Sequence, residues 1–206
     1  MIDKNIPDIV VGRLPRYLQA LEHMLRREHL TTSSQELGEL IGISAAQIRK
    51  DLSQYGEFGK QGRGYSVPFL VQQLRNILHV TQSWDMALIG AGNLGHAIAN
   101  YQGFANHGFH IRLIFDADPA RIGSEINGLT VHPAAEMGRM VQEAGIRIAM
   151  LTVPATAAQA VAEELVKSGV KSILNYAPIA LSVPADVHVQ YIDPIIHLQR
   201  MTYYLT

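Results

Sequence analysis

Along residues 15–28, PRYLQALEHMLRRE, apolar side chains recur at Leu18, Leu21 and Leu25 with Tyr17 and Met24 alongside. That three-to-four spacing predicts a helix with one apolar stripe, and Pro15 suits its first turn. In the next stretch, TTSSQELGELIGISAAQIRKDLSQYG, Ser33 with Glu36 forms a capping box that opens a helix with Leu37, Leu40 and Ile41 inward. Gly42 can take the left-handed conformation that ends it, and Ser44 with Gln47 opens another helix at once. Two helices across so short a turn make a helix-turn-helix. The second should turn Ala45, Ile48, Leu52 and Tyr55 inward and leave Ala46, Gln47, Lys50, Ser53 and Gln54 outward, with Arg49 at the flank. EFGKQGRGYSVPFL then reads as a glycine-rich hairpin carrying Lys60, Arg63, Tyr65 and Val67.

After residue 82 the pattern changes. A short apolar run, Met86 to Ile89, ends in Gly90, Gly92 and Gly95, and a helical stretch follows to about Asn106. Strands HIRLIFDADP, LTVH, IRIAMLTV, KSILNYA and VHVQYID come next, with helices PAAEMGRMVQEAG and PATAAQAVAEELVKSGV between them. Alternation of this kind predicts βα units of a doubly wound parallel sheet, with a ligand crevice at the strands' carboxyl ends. The predicted fold is therefore α/β: an amino-terminal winged helix-turn-helix followed by a Rossmann-type sheet, with a junction near 82–85. The chain closes on IIHLQRMTYYL, where Ile195, Leu198 and Leu205 recur at helical spacing beside Met201 and Tyr204. So apolar a helix needs a surface to bury against, on its own subunit or on another.

The two halves point to different chemistry. The outward face of the second helix, with Ser44 at its cap, is small, polar and basic, which suits major-groove base edges and phosphates, and a basic hairpin would lay cations along a backbone. Candidate DNA-contacting residues are Ser44, Ala46, Gln47, Arg49, Lys50, Ser53, Gln54, Lys60, Arg63 and Tyr65. In the other half, GAGNLG supplies a tight turn at Gly90, close backbone approach to a pyrophosphate at Gly92 and close helix–strand packing at Gly95. Asp116 stands 21 residues beyond Gly95, where an acid accepts hydrogen bonds from an adenosine ribose. No Arg directly follows it to pair with a 2′-phosphate, which favours NAD(H) over NADP(H). Candidate cofactor-binding residues are Gly90, Ala91, Gly92, Asn93, Leu94, Gly95, Asp116, Ala117 and Asp118, with Thr152, Val153, Pro154, Asn175, Tyr176, Ala177 and Pro178 at two strand ends.

Composition narrows this further. With 206 residues and 48% apolar side chains the chain can build two modest cores. The net charge of −1 divides unevenly, since residues 1–80 hold 10 Lys/Arg against 8 Asp/Glu and the remainder 7 against 10. The absence of cysteine excludes disulfides and thiol redox chemistry and fits a cytoplasmic location, so any redox sense must come from a bound cofactor. MIDKNIPDIVV does not read as a signal peptide, and Arg147, Pro154 and Gln159 break the most apolar stretch, so no membrane span is expected. None of the nine His residues shows metal-ligand spacing, and no catalytic carboxylate pair is evident. Little sequence follows the sheet, so an oxidoreductase would lack its substrate domain.

Several stretches together closely resemble the Rex family of redox-sensing transcriptional repressors. They are LPRYL, SSQELGELIGISAAQIRKDLSQYGEFGKQGRGY, IGAGNLGHAIANY, FHIRLIFDADPARIG, VPATAAQAVAEELVKSG, ILNYAP and the closing QRMTYYL. The resemblance implies a homodimer that binds a palindromic operator in double-stranded DNA, leaves it as NADH rises, and lets NAD⁺ compete with NADH without release. It further implies a domain layout of 1–82 for DNA, 83–193 for NAD(H) and 194–206 as a helix exchanged between subunits, with interdomain contacts at Arg16, Tyr101 and Asp193. One departure is IDPIIHLQ, where the family more often has a VDLSxELQ-like run, so that His197 replaces an acid. The alternatives are a small NAD-dependent oxidoreductase whose amino-terminal half serves dimerisation, and a coenzyme A binding module on a related fold.

Overall fold

The structure, a computed structural model, describes residues 6–60 and 64–205, with the backbone alone at 59 and 60. It divides into two compact units, Met1–Gln82 and Ser83–Thr206.

In the first unit, α1 (Asp8–Val11) leads into α2 (Leu14–Arg26), followed by β1 (Thr31–Thr32), α3 (Ser34–Ile41), α4 (Ala45–Ser53), β2 (Gly59–Lys60), β3 (Gly64–Ser66) and α5 (Val67–Ile77). Local chemistry sets most of these ends. Ser33 Oγ accepts the Glu36 N–H at 3.0 Å and Ser44 Oγ accepts the Gln47 N–H at 3.2 Å, so both helices of the helix-turn-helix begin at the expected caps. Gly42, at φ +71°, ends α3 as expected. The second half of each capping box does not form. The Glu36 carboxylate accepts from Thr32 Oγ1 at 2.9 Å, and the Gln47 amide turns to Asp51.

Leu14, Tyr17, Leu21, Leu37, Ile48, Leu52, Leu70 and Leu74 form the core of this unit. Full burial of each Leu or Ile stabilises by roughly 1.5–3 kcal/mol. Leu40 departs from expectation: it is 56% exposed, because the eight residues of α3 present only Leu37 fully to α2 and α4. The hairpin forms with β2 and β3 antiparallel, and β1, which the pattern did not reveal, adds a third strand by pairing with β3. Val67 belongs not to the hairpin but to α5, whose cap Ser66 accepts the Phe69 N–H and whose Pro68 lies in the first turn.

The second unit contains β4 (Trp84–Ile89), α6 (Asn93–Ala99), α7 (Gly103–Asn106), β5 (Phe109–Asp116), β6 (Glu125–Ile126), β7 (Leu129–Pro133), α8 (Met137–Glu143), β8 (Ile148–Leu151), α9 (Ala155–Lys167), β9 (Ser172–Asn175), β10 (His188–Tyr191) and α10 (Pro194–Thr202). Its strand order is β10-β9-β8-β4-β5-β7-β6. The first six strands pair in parallel with the chain reversing direction of travel beside β4, the Rossmann order. Central β4 shows why its sequence is almost wholly apolar. Ala87 and Ile89 pack with Met137, Val141, Ala158 and Leu165 on one face, while Met86 and Leu88 pack with Ile98 and Ala99 on the other.

Two expectations are corrected. The sheet is not purely parallel, because β6 is an antiparallel edge strand that folds back on β7 through a turn with Asn127 and Gly128 at positive φ. The helix expected to run to Asn106 breaks between α6 and α7. As the pattern implied, no α-helix lies in the β5–β7 or β9–β10 crossover among the described residues.

Candidate nucleotide cleft and recognition helix

At the carboxyl ends of β4, β5 and β8 lies a cavity of about 480 Å³, lined by residues that include Gly90, Gly92, Asp116, Ala117, Arg121, Thr152, Val153 and Pro154. Its size falls in the range of small-molecule sites, and its place is where a Rossmann sheet holds a nucleotide. Two glycines make it possible. Gly90 sits at φ +101°, with a Cβ there 2.7 Å from the Thr152 carbonyl oxygen, and a Cβ on Gly95 would run into the Gly90 carbonyl oxygen. Any side chain at either position would drive the loop from β8, and the cleft would lose its shape. Thr152 closes the seam from the other side, its hydroxyl donating to the Gly90 carbonyl at 2.7 Å.

Asp116, 7% exposed, links the ends of β4 and β5. Oδ2 accepts the Ala91 N–H at 2.6 Å, Oδ1 accepts the Asp118 N–H at 2.8 Å, and Arg121 Nη1 approaches Oδ2 at 3.2 Å. Burial by itself would raise the carboxyl pKa, but these two amides and the guanidinium outweigh it and hold the group below the usual carboxylate value. The acid is therefore ionised and partly committed to the loop. Arg121 went unnoticed in the sequence because it follows Asp116 by five residues; the turn at 118–122 brings it back to the cleft wall.

The other expected cofactor residues divide. Ala91 and Gly95 are buried in the loop, Asn93 and Leu94 are exposed on the first turn of α6, and Asp118 is half-buried, its carboxylate accepting the Ala120 N–H. Asn175 is buried and committed to its own loop, where its amide donates to the Ala177 and Ile179 carbonyls and accepts the Ala177 N–H. It shapes the turn that carries Tyr176, Ala177 and Pro178, and none of these four lines the cavity. Burial raises the Tyr176 hydroxyl pKa.

In the other unit, α4 exposes Ala46, Arg49, Lys50, Ser53 and Gln54, with Ser44 exposed at its cap. Arg49 donates to Ser34 Oγ at 2.8 Å and lies close enough to Tyr65 to counter, in part, the burial that raises that phenol. Tyr65 of β3 thus stands beside the outward face of α4. Arg63 lies outside the described residues, and Lys60 is placed by its backbone alone. Gln47 differs from expectation in being half-buried, its amide turned toward Asp51. Arg16 is exposed and donates to the Ile41 carbonyl at 2.7 Å. Tyr101 is 62% exposed and stacks edge-on against Phe104, while Asp193 caps α10 by accepting the Ile195 N–H at 2.9 Å. Among the described residues no group of His, Asp and Glu could hold a metal ion, and no helix is long and apolar enough to cross a membrane.

A winged helix on one unit and a Rossmann nucleotide cleft on the other define the class of DNA-binding regulators that carry a dinucleotide domain. Comparison with known proteins gives the family. A family profile described as a CoA binding domain matches residues 81–179, and another, putative DNA-binding protein N-terminus, matches residues 5–53. The chain is 51% identical to the redox-sensing transcriptional repressor Rex of Roseiflexus sp. (strain RS-1), covering 97% of this chain and 90% of that one. It is 42% identical to the Rex repressor of Brevibacillus brevis, covering 98% of each. The crystal structure of RSP in complex with β-NAD⁺ and operator DNA matches with a TM-score of 0.92 at 38% identity, covering 98% of this chain and 94% of that chain. The RSP complex with β-NADH matches with a TM-score of 0.89 at 36% identity, covering 98% and 95%. The chain belongs to the Rex family of redox-sensing transcriptional repressors, which are regulators rather than enzymes.

Proposed function

We propose that this protein represses transcription by binding an inverted-repeat operator as a homodimer and lets go when NADH fills the Rossmann cleft, so that the NADH/NAD⁺ ratio sets expression. The observation that carries this reading is full-length similarity to RSP, a repressor crystallised with operator DNA and with either form of the dinucleotide. The cleft geometry agrees: the Gly90–Gly95 loop admits a pyrophosphate, and the ionised Asp116 lies where ribose hydroxyls would reach it. Arg121 beside Asp116 gives the cleft a cation as well. In this reading Ala91, Asn93, Leu94, Ala117, Asp118, Thr152, Val153 and Pro154 complete the nucleotide contacts, and the loop from Asn175 to Pro178 borders them. Residues 1–82 bind DNA through α4 and the hairpin, and the site of action is the cytoplasm.

In this reading the carboxyl-terminal segment, residues 194–206 with α10 (Pro194–Thr202) in it, is exchanged between subunits. Ile195, Ile196, Leu198, Met201, Tyr204 and Leu205 are each more than half exposed, and α10 buries none of its side chains within this chain. An apolar helix so bare is stable in water only against a partner surface, which a second subunit supplies. Arg16, Tyr101 and Asp193 then relay the nucleotide state. NADH displaces the operator only to the extent that it binds the released arrangement more tightly than the DNA-bound one.

The test is a gel shift at fixed salt with an inverted-repeat duplex selected by the protein from random DNA. A specific complex that NADH dissolves, NAD⁺ protects and coenzyme A leaves alone is expected. Release by coenzyme A with indifference to NADH would instead make the cleft a coenzyme A site.

A further inference from the structure

Asp51 is the most buried charge among the described residues, and it lies inside the recognition helix. Its carboxylate, fully shielded from solvent, receives four hydrogen bonds. Arg13 donates from Nε to Oδ2 at 2.6 Å and from Nη2 to Oδ1 at 2.8 Å. The Tyr17 hydroxyl donates to Oδ2 at 2.6 Å, and Gln47 Nε2 donates to Oδ1 at 2.7 Å. A carboxylate offers about four lone-pair positions, so this one is saturated. Burial alone would raise its pKa, but the Arg13, Tyr17 and Gln47 donors prevail and keep it ionised.

An ionised carboxylate only accepts. Gln47, one turn earlier on α4, must therefore present its NH₂ group to Asp51; the reverse orientation would set two acceptor oxygens against each other. The amide polarity is fixed by chemistry. One N–H is consumed, leaving the Gln47 carbonyl oxygen and the remaining N–H for whatever α4 meets. Ala46 and Lys50 on either side are exposed, so this half-buried amide lies at the edge of the recognition face.

We infer that Asp51 is a specificity-determining residue that reads no base itself but holds Gln47 as an acceptor–donor pair matched to adenine in the major groove. Adenine offers the N6 amino donor beside the N7 acceptor, whereas guanine offers two acceptors, so a fixed carbonyl oxygen repels guanine O6. Arg13, at the N-cap of α2, and Tyr17, in its first turn, fasten the arrangement to the body of the unit. The inference rests on α4 being the DNA-reading helix.

The experiment uses the full-length protein and the selected inverted-repeat duplex, with each half-site base pair replaced in turn. The unaltered protein should prefer A·T over G·C at one position by about tenfold, within the discrimination a bidentate amide gives. Gln47→Met should abolish that preference while leaving the other positions unchanged. Asp51→Asn should reduce it to threefold or less, because an amide at 51 lets Gln47 turn either way. In the Gln47→Met background, Asp51→Asn should change affinity for all duplexes alike and leave the A·T/G·C ratio where Gln47→Met put it. A purely structural role for Asp51 would not produce that dependence on Gln47. If Asp51→Asn does not fold by circular dichroism, Tyr17→Phe, which frees one lone pair of Asp51 and keeps the charge, should show a smaller loss at the same position only. A full preference in Gln47→Met, or equal losses at every position, would overturn the inference. No operator complex with the unaltered protein would overturn the DNA-reading assignment of α4 itself.

Discussion

Replacing Asp116 by Ala removes the acceptor that ties the glycine loop to β5, and the structure divides the cost into two measurable parts. The first is stability without ligand. Ala91 is 8% exposed, so its N–H, now bonded at 2.6 Å, would be left buried without a partner. The half-buried Asp118 N–H can turn to water, and the Arg121 ion pair counts for little because that side chain is 46% exposed. One orphaned buried amide plus one lost charge-assisted bond costs about 2–3 kcal/mol. For a unit of this size that lowers the melting temperature by about 10 °C. The second part is affinity. Ribose hydroxyls lose a charged acceptor, which weakens NADH by about 1–3 kcal/mol, or roughly 5- to 150-fold in Kd. Differential scanning fluorimetry of the ligand-free protein reads the first part. Quenching of NADH fluorescence, titrated well below the variant's melting temperature, reads the second, and operator binding without nucleotide should survive. An unchanged Kd for NADH would remove Asp116 from the cofactor site, and an unchanged melting temperature would remove it from the loop.

Gly95→Ala should abolish NADH binding by forcing α6 away from the Gly90 carbonyl while the unliganded protein still binds operator; calorimetric titration at normal affinity would contradict the close packing. Lys50→Ala should lower the salt slope of operator binding by about one unit if the ammonium meets a phosphate, and Arg49→Ala should relax base preference if the guanidinium meets a base edge. Operator binding unchanged in the combined Arg49, Lys50, Lys60 and Arg63 alanine variant would remove α4 and the hairpin from the interface. Deleting residues 194–206 should convert dimer to monomer in sedimentation and abolish palindrome binding; a truncated dimer that still responds to NADH would refute the exchanged helix. Asp51 and Asp116 both have folded pKa values below their unfolded value of about 3.9, so their stabilisation is complete above that range and lost as pH falls through the depressed values. Urea midpoints measured from pH 6 down to pH 2 should therefore fall less steeply in Asp116→Ala than in the parent.

What the sequence determined by itself are the features whose partners lie within a few residues. Ser33 and Ser44 cap their helices through amides three residues ahead, and Gly42 ends α3 in a conformation that needs no distant contact. Parallel strands buried on both faces write long apolar runs, so the order of β4, β5, β8 and β9 is legible, and so are the glycines after β4 with the acid after β5. The relation to Rex repressors rests on these same stretches. Tertiary structure alone decided the rest. Leu40 carries a core-like residue type at a core-like position, yet the eight-residue α3 buries Leu37 and leaves Leu40 uncovered. Strands β1 and β6 are two residues each, and only a neighbour with free backbone groups makes them strands. Asn175 looks like a residue for a ligand at a strand end, but its amide is spent on the loop that follows. Asp51 reads as an ordinary polar residue on a polar helix. Its partners Arg13 and Tyr17 stand 38 and 34 residues away, and no local periodicity encodes a hydrogen bond across that distance. A buried charge is set by whatever the fold brings to it, and only the tertiary structure, which sets the start of α2 beside α4, brings a guanidinium and a phenol to this one.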